Sequence, residues 1–213
     1  MTIEEVLREY MSALRTGDRR AAVGTVQRAQ SAGHDFRALY LRVFQPALEE
    51  VGRLWQINAV SVADEHIATA ITQSAMLSVY QSVTEATLTK RHTVIAACSE
   101  NERHDLGLRM VCDFLDLAGW QTWFVGSSVP ADSLVSLTRG VKPDAVALSA
   151  SLPTHILELK SVIAELCALP HPPFILVGGR ALTQDPSLAE EIGADATASD
   201  AAHAVDVLQA RFP

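Results

Sequence analysis

The sequence predicts an α/β protein, an N-terminal four-helix bundle followed by a five-stranded, parallel, doubly wound sheet. Three observations lead there. Up to about Lys90 the apolar residues recur only at helical spacing; beyond it, short apolar runs alternate with helical segments; and those runs are apolar at consecutive positions, as strands covered on both faces must be. The change of period divides the chain into a helical domain, residues 1–90, and a sheet domain, residues 91–213, with the boundary in the stretch Leu88 to His92.

The first helix is read in "IEEVLREYMSAL", where Ile3, Val6, Leu7, Tyr10, Met11 and Leu14 form one amphipathic stripe, broken by "TGD". A second runs from Asp18 towards Gln30 and is closed by Gly33. The third spans about Asp35 to Trp55 with Pro46 as a kink, and the fourth about Ser61 to Thr87, with few charges on any face. Short connections make these a bundle. The strands are "TVIAAC", "QTWFV", "DAVALS", "PFILVG" and, with the weakest signal, "DATAS". Helices between them centre near Met110, Leu134, Ile163 and Leu188, and a last one near Val205.

Composition narrows the function. A formal charge of -8 and the lack of any Lys/Arg-rich stripe exclude a direct grip on nucleic acid. No run reaches the ~18 apolar residues of a membrane span. The opening "MTIEEVLREY" lacks the basic-then-apolar order of a signal peptide, which predicts a cytoplasmic protein. Cys98, Cys112 and Cys167 are odd in number and without CxxC spacing, and are read as reduced core residues.

In a doubly wound sheet, ligands sit beyond the carboxyl ends of the strands, near the point where strand order reverses. Glu102-x-His104-x-x-Gly107, with Asp105 beside the histidine, follows the first predicted strand. Ser149, Ser151 and Leu152 follow the third, and Gly178-Gly179-Arg180 the fourth. The serines can donate hydrogen bonds into a crevice, and the glycine pair allows close approach of a ligand. Singly, each has an ordinary alternative, a solvated turn histidine or a common glycine turn. Jointly they predict a ligand site without naming the ligand. The other histidines, His34, His92, His155, His171 and His203, fall in turns or at element edges and are read as surface residues.

The stretch "ENERHDLGLRMVCDFLDLAGWQTWFVGSSVP", followed by "PDAVALSASL", "ILVGG" and "GAD", resembles the cobalamin-binding domain shared by methionine synthase, mutases, corrinoid carriers and cobalamin photoreceptors. The resemblance covers nearly all of residues 92–200. It implies a Rossmann-like cobalamin domain in which His104 ligates cobalt from below and displaces the dimethylbenzimidazole tail. By the same resemblance Gly107 makes room for the tail, Ser149, Ser151 and Leu152 line it, and Gly178 and Gly179 flank it. Glu102 stands where Asp is commoner; a carboxylate one methylene longer still serves to orient a metal-bound imidazole. The Glu form resembles the photoreceptor branch.

The helical half contains "WQINAVSVADEH", with Trp55 ending one helix and Glu65 and His66 opening the next, so that all three are expected at one mouth of the bundle. Core packing of the Trp and first-turn placement favoured by the helix dipole are the ordinary alternative. The spacing is similar to the W-x9-EH signature of light-sensing cobalamin proteins, which implies that the helical domain caps the upper face, Trp55 and Glu65 enclosing an adenosyl group. An indole can pack on adenosine and a carboxylate can accept its hydrogen bonds. Asn58 stands where relatives often have Gly. Gln56 stands where the photoreceptors that form a bis-histidine cobalt adduct have His, which moves any such adduct to another group such as His66. The helix-turn-helix of the repressors is missing.

The resemblance therefore implies a free-standing, non-enzymatic light sensor. It holds adenosylcobalamin and changes conformation or association when light breaks the cobalt–carbon bond. The expected partners are a second copy, a dimer being favoured, and a signalling protein; a noncovalent bilin, biliverdin, is a further cofactor of some stand-alone relatives. The alternative is a corrinoid carrier of a methyltransferase system, with His104 in the same role.

Overall fold

The computed structural model describes residues 1–83 and 90–213. The predicted end of the fourth helix and Leu88 and Thr89 of the predicted boundary lie outside the described residues. The chain forms two compact units, Met1–Thr87 and Leu88–Pro213.

The first unit is helical. Helix α1 (Ile3–Arg15) starts at a capping box in which Thr2 and Glu5 satisfy each other's backbone N–H groups. Asp18 caps α2 (Arg19–Ser31) and Asp35 caps α3 (Phe36–Leu39). The long third helix expected from the sequence is in fact α3, a π turn at Tyr40–Phe44, and α4 (Gln45–Gln56). The N–H of Gln45 reaches Tyr40 O, five residues back. The extra residue widens the helix where Pro46 has no N–H to give, so the rod continues through the proline. Helix α5 (Val62–Val83) completes the unit. The core centres on Tyr10, Tyr40 and Phe44, with Tyr10 and Tyr40 each about one ring diameter from Phe44, at 5.4 and 5.3 Å. The buried Tyr10 hydroxyl donates to Thr72 Oγ1 at 3.0 Å.

The second unit is the predicted sheet. Strands β1 (His92–Cys98), β2 (Trp120–Gly126), β3 (Ala145–Ser149), β4 (Phe174–Gly178) and β5 (Ala196–Thr197) are all parallel, in the order β2-β1-β3-β4-β5. Ile95, Val146, Leu148, Ile175 and Val177 form one core face with residues of α7 (Ala131–Val141) and α8 (Ile156–Cys167). Helix α6 (Leu106–Leu117) lies against β1, β2 and β3 and packs on α11 (Ala201–Arg211). The helix expected near Leu188 is two short pieces, α9 (Arg180–Gln184) and α10 (Leu188–Glu191), parted at Asp185-Pro186 because proline restricts the residue before it. Cys98 and Cys112 are buried as expected, but Cys167, at the last turn of α8, is exposed.

Register decides what this unit brings together. Cys98 pairs with Ser149, and Ser149 with Gly178, so the last residues of β1, β3 and β4 stand in one row. The loops that follow them therefore emerge side by side. Strand order reverses between β1 and β3, the switch point at which open α/β sheets bind ligands. No helix among the described residues is long and apolar enough to cross a membrane.

Candidate functional site

The loop after β1 turns back on itself at once, Glu102 N–H donating to Ser99 O at 3.0 Å, and this turn puts the Glu102 side chain inside the protein. The residue is fully buried. A carboxylate without water must find donors, and Glu102 has four. On Oε1 it accepts from the His104 backbone N–H at 2.8 Å and from His104 Nδ1 at 2.5 Å. On Oε2 it accepts from the Ser151 N–H at 2.6 Å and from His155 Nδ1 at 3.1 Å. Burial pushes the carboxyl up, but these four hydrogen bonds outweigh it and hold the pKa at about 2. At neutral pH Glu102 is a carboxylate and accepts only, so both Nδ1 atoms carry their protons.

This has a chemical consequence for His104. With Nδ1–H committed to Glu102, the neutral ring carries its lone pair on Nε2, the tautomer a metal ligand needs. The His104 ring is half exposed, in contrast to its carboxylate partner. Asp105 precedes α6, and Gly107 lies in its first turn, where among the described residues nothing beyond its chain neighbours and its own helix backbone comes within 4 Å of where a Cβ would be. The space beside Gly107 is open.

Ser149 ends β3 in a buried position, with Ser151 and Leu152 half-buried after it. The Ser99 hydroxyl, at the head of the β1 loop, is buried and has no hydrogen-bond partner among the described residues. Gly178 and Gly179 also serve the fold itself. A Cβ on Gly179, whose φ is +97°, would stand 2.4 Å from Ala150 O, and one on Gly178 would stand 3.2 Å from Ala198 O. The glycines let the chain approach itself: the Ala150 N–H donates to Gly178 O, and the Ala181 N–H to Ala150 O. That contact ties the loop carrying Ser151 to the end of β4.

Within the helical unit, Trp55 lies in the last turn of α4, 39% exposed, and Glu65 and His66 lie in the first turn of α5. The turn joining them holds Asn58 at φ +55°, the left-handed conformation that Asn tolerates. Glu65 accepts from Thr69 Oγ1 at 2.9 Å and lies 2.5 Å from His66 Nδ1. Ile57, Val62 and Ile67 are exposed around the same turn.

The surface assignment of His155 does not hold. Its side chain is 12% exposed and bonded to Glu102. It closes the 3-10 turn Pro153–His155 that leads from β3 into α8, which swings it over the same carboxyl edge as His104. The rule that selected His104, a histidine just past a strand's carboxyl end, also selects His155 when applied to β3. His92 is likewise half-buried, its ring 5.1 Å from that of Trp120.

Residues 92–208 match the family model described as the B12 binding domain, and residues 6–79 match a second model of the same description. The chain belongs to the B12-binding family. Trimethylamine corrinoid protein 1 of Methanosarcina acetivorans is 26% identical to this B12-binding protein over 216 residues, covering 97% of each chain. The HTH-type transcriptional repressor CarH of Myxococcus xanthus is 26% identical over 151 residues, 70% of this chain and 50% of the repressor. Among solved structures, the Methanosarcina barkeri monomethylamine corrinoid protein superposes with a TM-score of 0.86 at 21% identity, over 99% of this chain and 100% of that one. The fold is that of a corrinoid protein.

The residues of the site suit the cofactor of this family. A half-exposed imidazole is held in its Nε2 lone-pair tautomer, and among the described residues the space beside Gly107 is open and the buried Ser99 hydroxyl at the switch point has no hydrogen-bond partner. These are the groups that a corrin with its own ring nitrogens and a polar nucleotide tail would use.

Proposed function

We propose that the protein is a corrinoid carrier, holding cobalamin on its sheet unit with His104 as the lower cobalt ligand and presenting the upper face to a partner methyltransferase. The observation that supports it is the fully buried Glu102 carboxylate, which accepts the His104 Nδ1–H and so leaves the lone pair of the neutral ring on Nε2. The similarity to a trimethylamine corrinoid protein, which covers 97% of each chain, favours the carrier role. Bound cobalamin supplies a cobalt–carbon bond.

The chain's own residues do the rest. Glu102 keeps the His104 ring from rotating and strengthens it as a ligand by accepting its Nδ1–H. Ser99, Ser149, Ser151 and Leu152 would line the slot for the displaced nucleotide tail, with Gly107 leaving its mouth open. Gly178 and Gly179 hold the Ser151 loop in place through Ala150. Asp105 would stand beside the ligand at the head of α6.

A second reading, a light sensor loaded with adenosylcobalamin, is favoured by Trp55 with Glu65 and His66 nine residues on, an exposed indole and a carboxylate on either side of one turn. There the helical unit would supply contacts to the adenosyl group, and their loss in light would change an interface with a second copy or a signalling protein. Biliverdin would be an added chromophore. Titration of the purified protein with methylcobalamin and with adenosylcobalamin, in the dark and under green light, separates the two. A carrier binds both with affinities within about threefold and keeps the same association state in the dark and under green light. A preference for adenosylcobalamin above about tenfold, abolished by Trp55→Ala and joined to a light-driven change in association state, would overturn the carrier reading.

A further inference from the structure

The sheet ends on one side at β2, which pairs with β1 alone. Along the other side of β2 the backbone groups of Gln121 to Phe124 bond nothing among the described residues. Exposed edges are commonly blunted by charge or by proline. Here no Asp, Glu, Lys or Arg stands between Asp116 and Asp132, and the first proline, Pro130, lies beyond the strand. A bulge closes the regular stretch: Ala96 pairs with Phe124 and Ala97 with Gly126, which leaves Val125 without a partner on β1. Trp120 to Phe124 is thus a regular, uncharged edge. Arg109 of α6 covers the Phe124 ring, 4.2 Å from its centre, so alternation places Gln121 and Trp123 on the opposite face. Trp123 is level with Ile95, which belongs to the core under α7 and α8. That apolar face therefore runs on past its covered strands to Trp123, which is 41% exposed. Next to it, Ser133, Leu137 and Gly140 of α7 line an open groove of about 620 Å³. A right-handed crossover from β2 to β3 turns that flank of the helix towards the free edge.

We propose that this edge pairs with β2 of a second copy of the chain. The two strands run antiparallel about a two-fold axis at Thr122, the middle of the regular stretch, and join two five-stranded sheets into one. Thr122 then faces the partner's Thr122, Gln121 faces the partner's Trp123, and Trp120 faces the partner's Phe124, so aromatic and threonine pairs meet and no like charges do. The two indoles become diagonal neighbours and fill the space beside α7. Charge selects a second copy as the occupant. Molecules that each carry a formal charge of -8 repel one another, and they meet most readily on a face that adds no charge. An acidic or basic partner would call for complementary charges, and the stretch between Asp116 and Asp132 has none. A pair of this length is small beside the roughly 1,200–2,000 Å² of specific interfaces, so the indoles and the α7 groove must add to it, and the dimer is a weak one of roughly micromolar Kd. Because the strands of the two copies run in opposite directions, their carboxyl edges, with the loops that bear His104, open at opposite ends of the joined sheet. Two cofactor sites would stay apart, whichever corrinoid role they serve.

The test measures sedimentation equilibrium of the full chain from about 1 to 100 μM, with circular dichroism to check the fold of each variant. Wild type should show a monomer–dimer equilibrium. Trp123→Lys removes both indoles from the interface and sets two lysines near each other, and should raise the dimer's Kd at least about 100-fold. Register is read by cross-linking in a Cys167→Ser background, which lacks the exposed native thiol. On mild oxidation Thr122→Cys should form a covalent dimer, because residue 122 lies opposite its own copy. Gln121→Cys should not, because its own copy lies diagonally out of reach. A wild type that stays monomeric to about 100 μM overturns the proposal, and so does a dimer whose Kd Trp123→Lys leaves within about threefold. Linking of Gln121→Cys without Thr122→Cys overturns the register. If Trp123→Lys does not fold, Trp123→Ala decides: its Kd should rise at least about tenfold, and an unchanged Kd places the dimer contact elsewhere.

Discussion

Replacing Glu102 by glutamine should cost the sheet unit about 3 kcal/mol at neutral pH and nothing comparable in acid. The side chain is almost isosteric, so no cavity forms; the change is in what its two heavy atoms can do. Each carboxylate oxygen faces a backbone N–H, His104 on Oε1 and Ser151 on Oε2. A glutamine has one acceptor and one donor end, so whichever way it flips, its amide N–H₂ points at a backbone N–H that cannot become an acceptor. The two imidazole rings can change tautomer to meet the amide, but the backbone N–H groups of Ser151 and His104 can only donate. One buried donor left facing another costs about 2–3 kcal/mol. Linkage gives the same scale independently. The carboxyl pKa falls from 4.5 to about 2 on folding, which corresponds to about 3 kcal/mol. Because the folded-state pKa is the lower one, this stability is fully present above about pH 4.5 and is lost as pH falls towards 2. About 2 kcal/mol of it is gone by pH 3. The glutamine has no proton to exchange, so the gap between wild type and Glu102→Gln should shrink from about 3 kcal/mol at pH 7 to about 1 kcal/mol at pH 3. Acid effects of other carboxylates are common to both proteins and cancel. The assay is urea denaturation across this pH range, followed by tryptophan fluorescence, in which buried Trp120 of β2 reports the sheet unit. No gap at pH 7, or a gap that stays constant down to pH 3, would refute the account of Glu102 as a carboxylate held ionised by its four donors.

Two further substitutions probe the site from other sides. Gly179→Ala would force a Cβ to within 2.4 Å of Ala150 O at a φ of +97°, and should lower stability by roughly 3 kcal/mol or more. A thermal midpoint within about 2 °C of wild type would show that the β4 turn is not held as described. Ser99→Ala removes a buried hydroxyl that has no partner among the described residues, so the apoprotein should keep its stability within about 0.5 kcal/mol. Its affinity for cobalamin, measured by calorimetric titration, should fall about tenfold; unchanged affinity would take Ser99 out of the cofactor slot.

The local sequence determined the elements and the core of the ligand motif. Apolar spacing reports which faces meet solvent and which meet protein, and that is a short-range property; it is why all five strands and the α1 stripe are legible. Glu102 and His104 are two residues apart, so their pairing follows from one tight turn. The left-handed Asn58 is legible because few side chains tolerate that conformation. What the sequence hid depends on strand order and register. Ser151 and His155 reach Glu102 across 49 and 53 residues because β3 lies beside β1 with Ser149 level with Cys98. No short-range pattern encodes that pairing, so His155 reads as one more turn histidine until the sheet is assembled. The glycine pair is similar: its composition signals close approach, but only the assembled sheet shows that Ala150 is what approaches Gly179. Periodicity fixes what each segment becomes, and packing decides which distant polar groups must satisfy one another once water is gone.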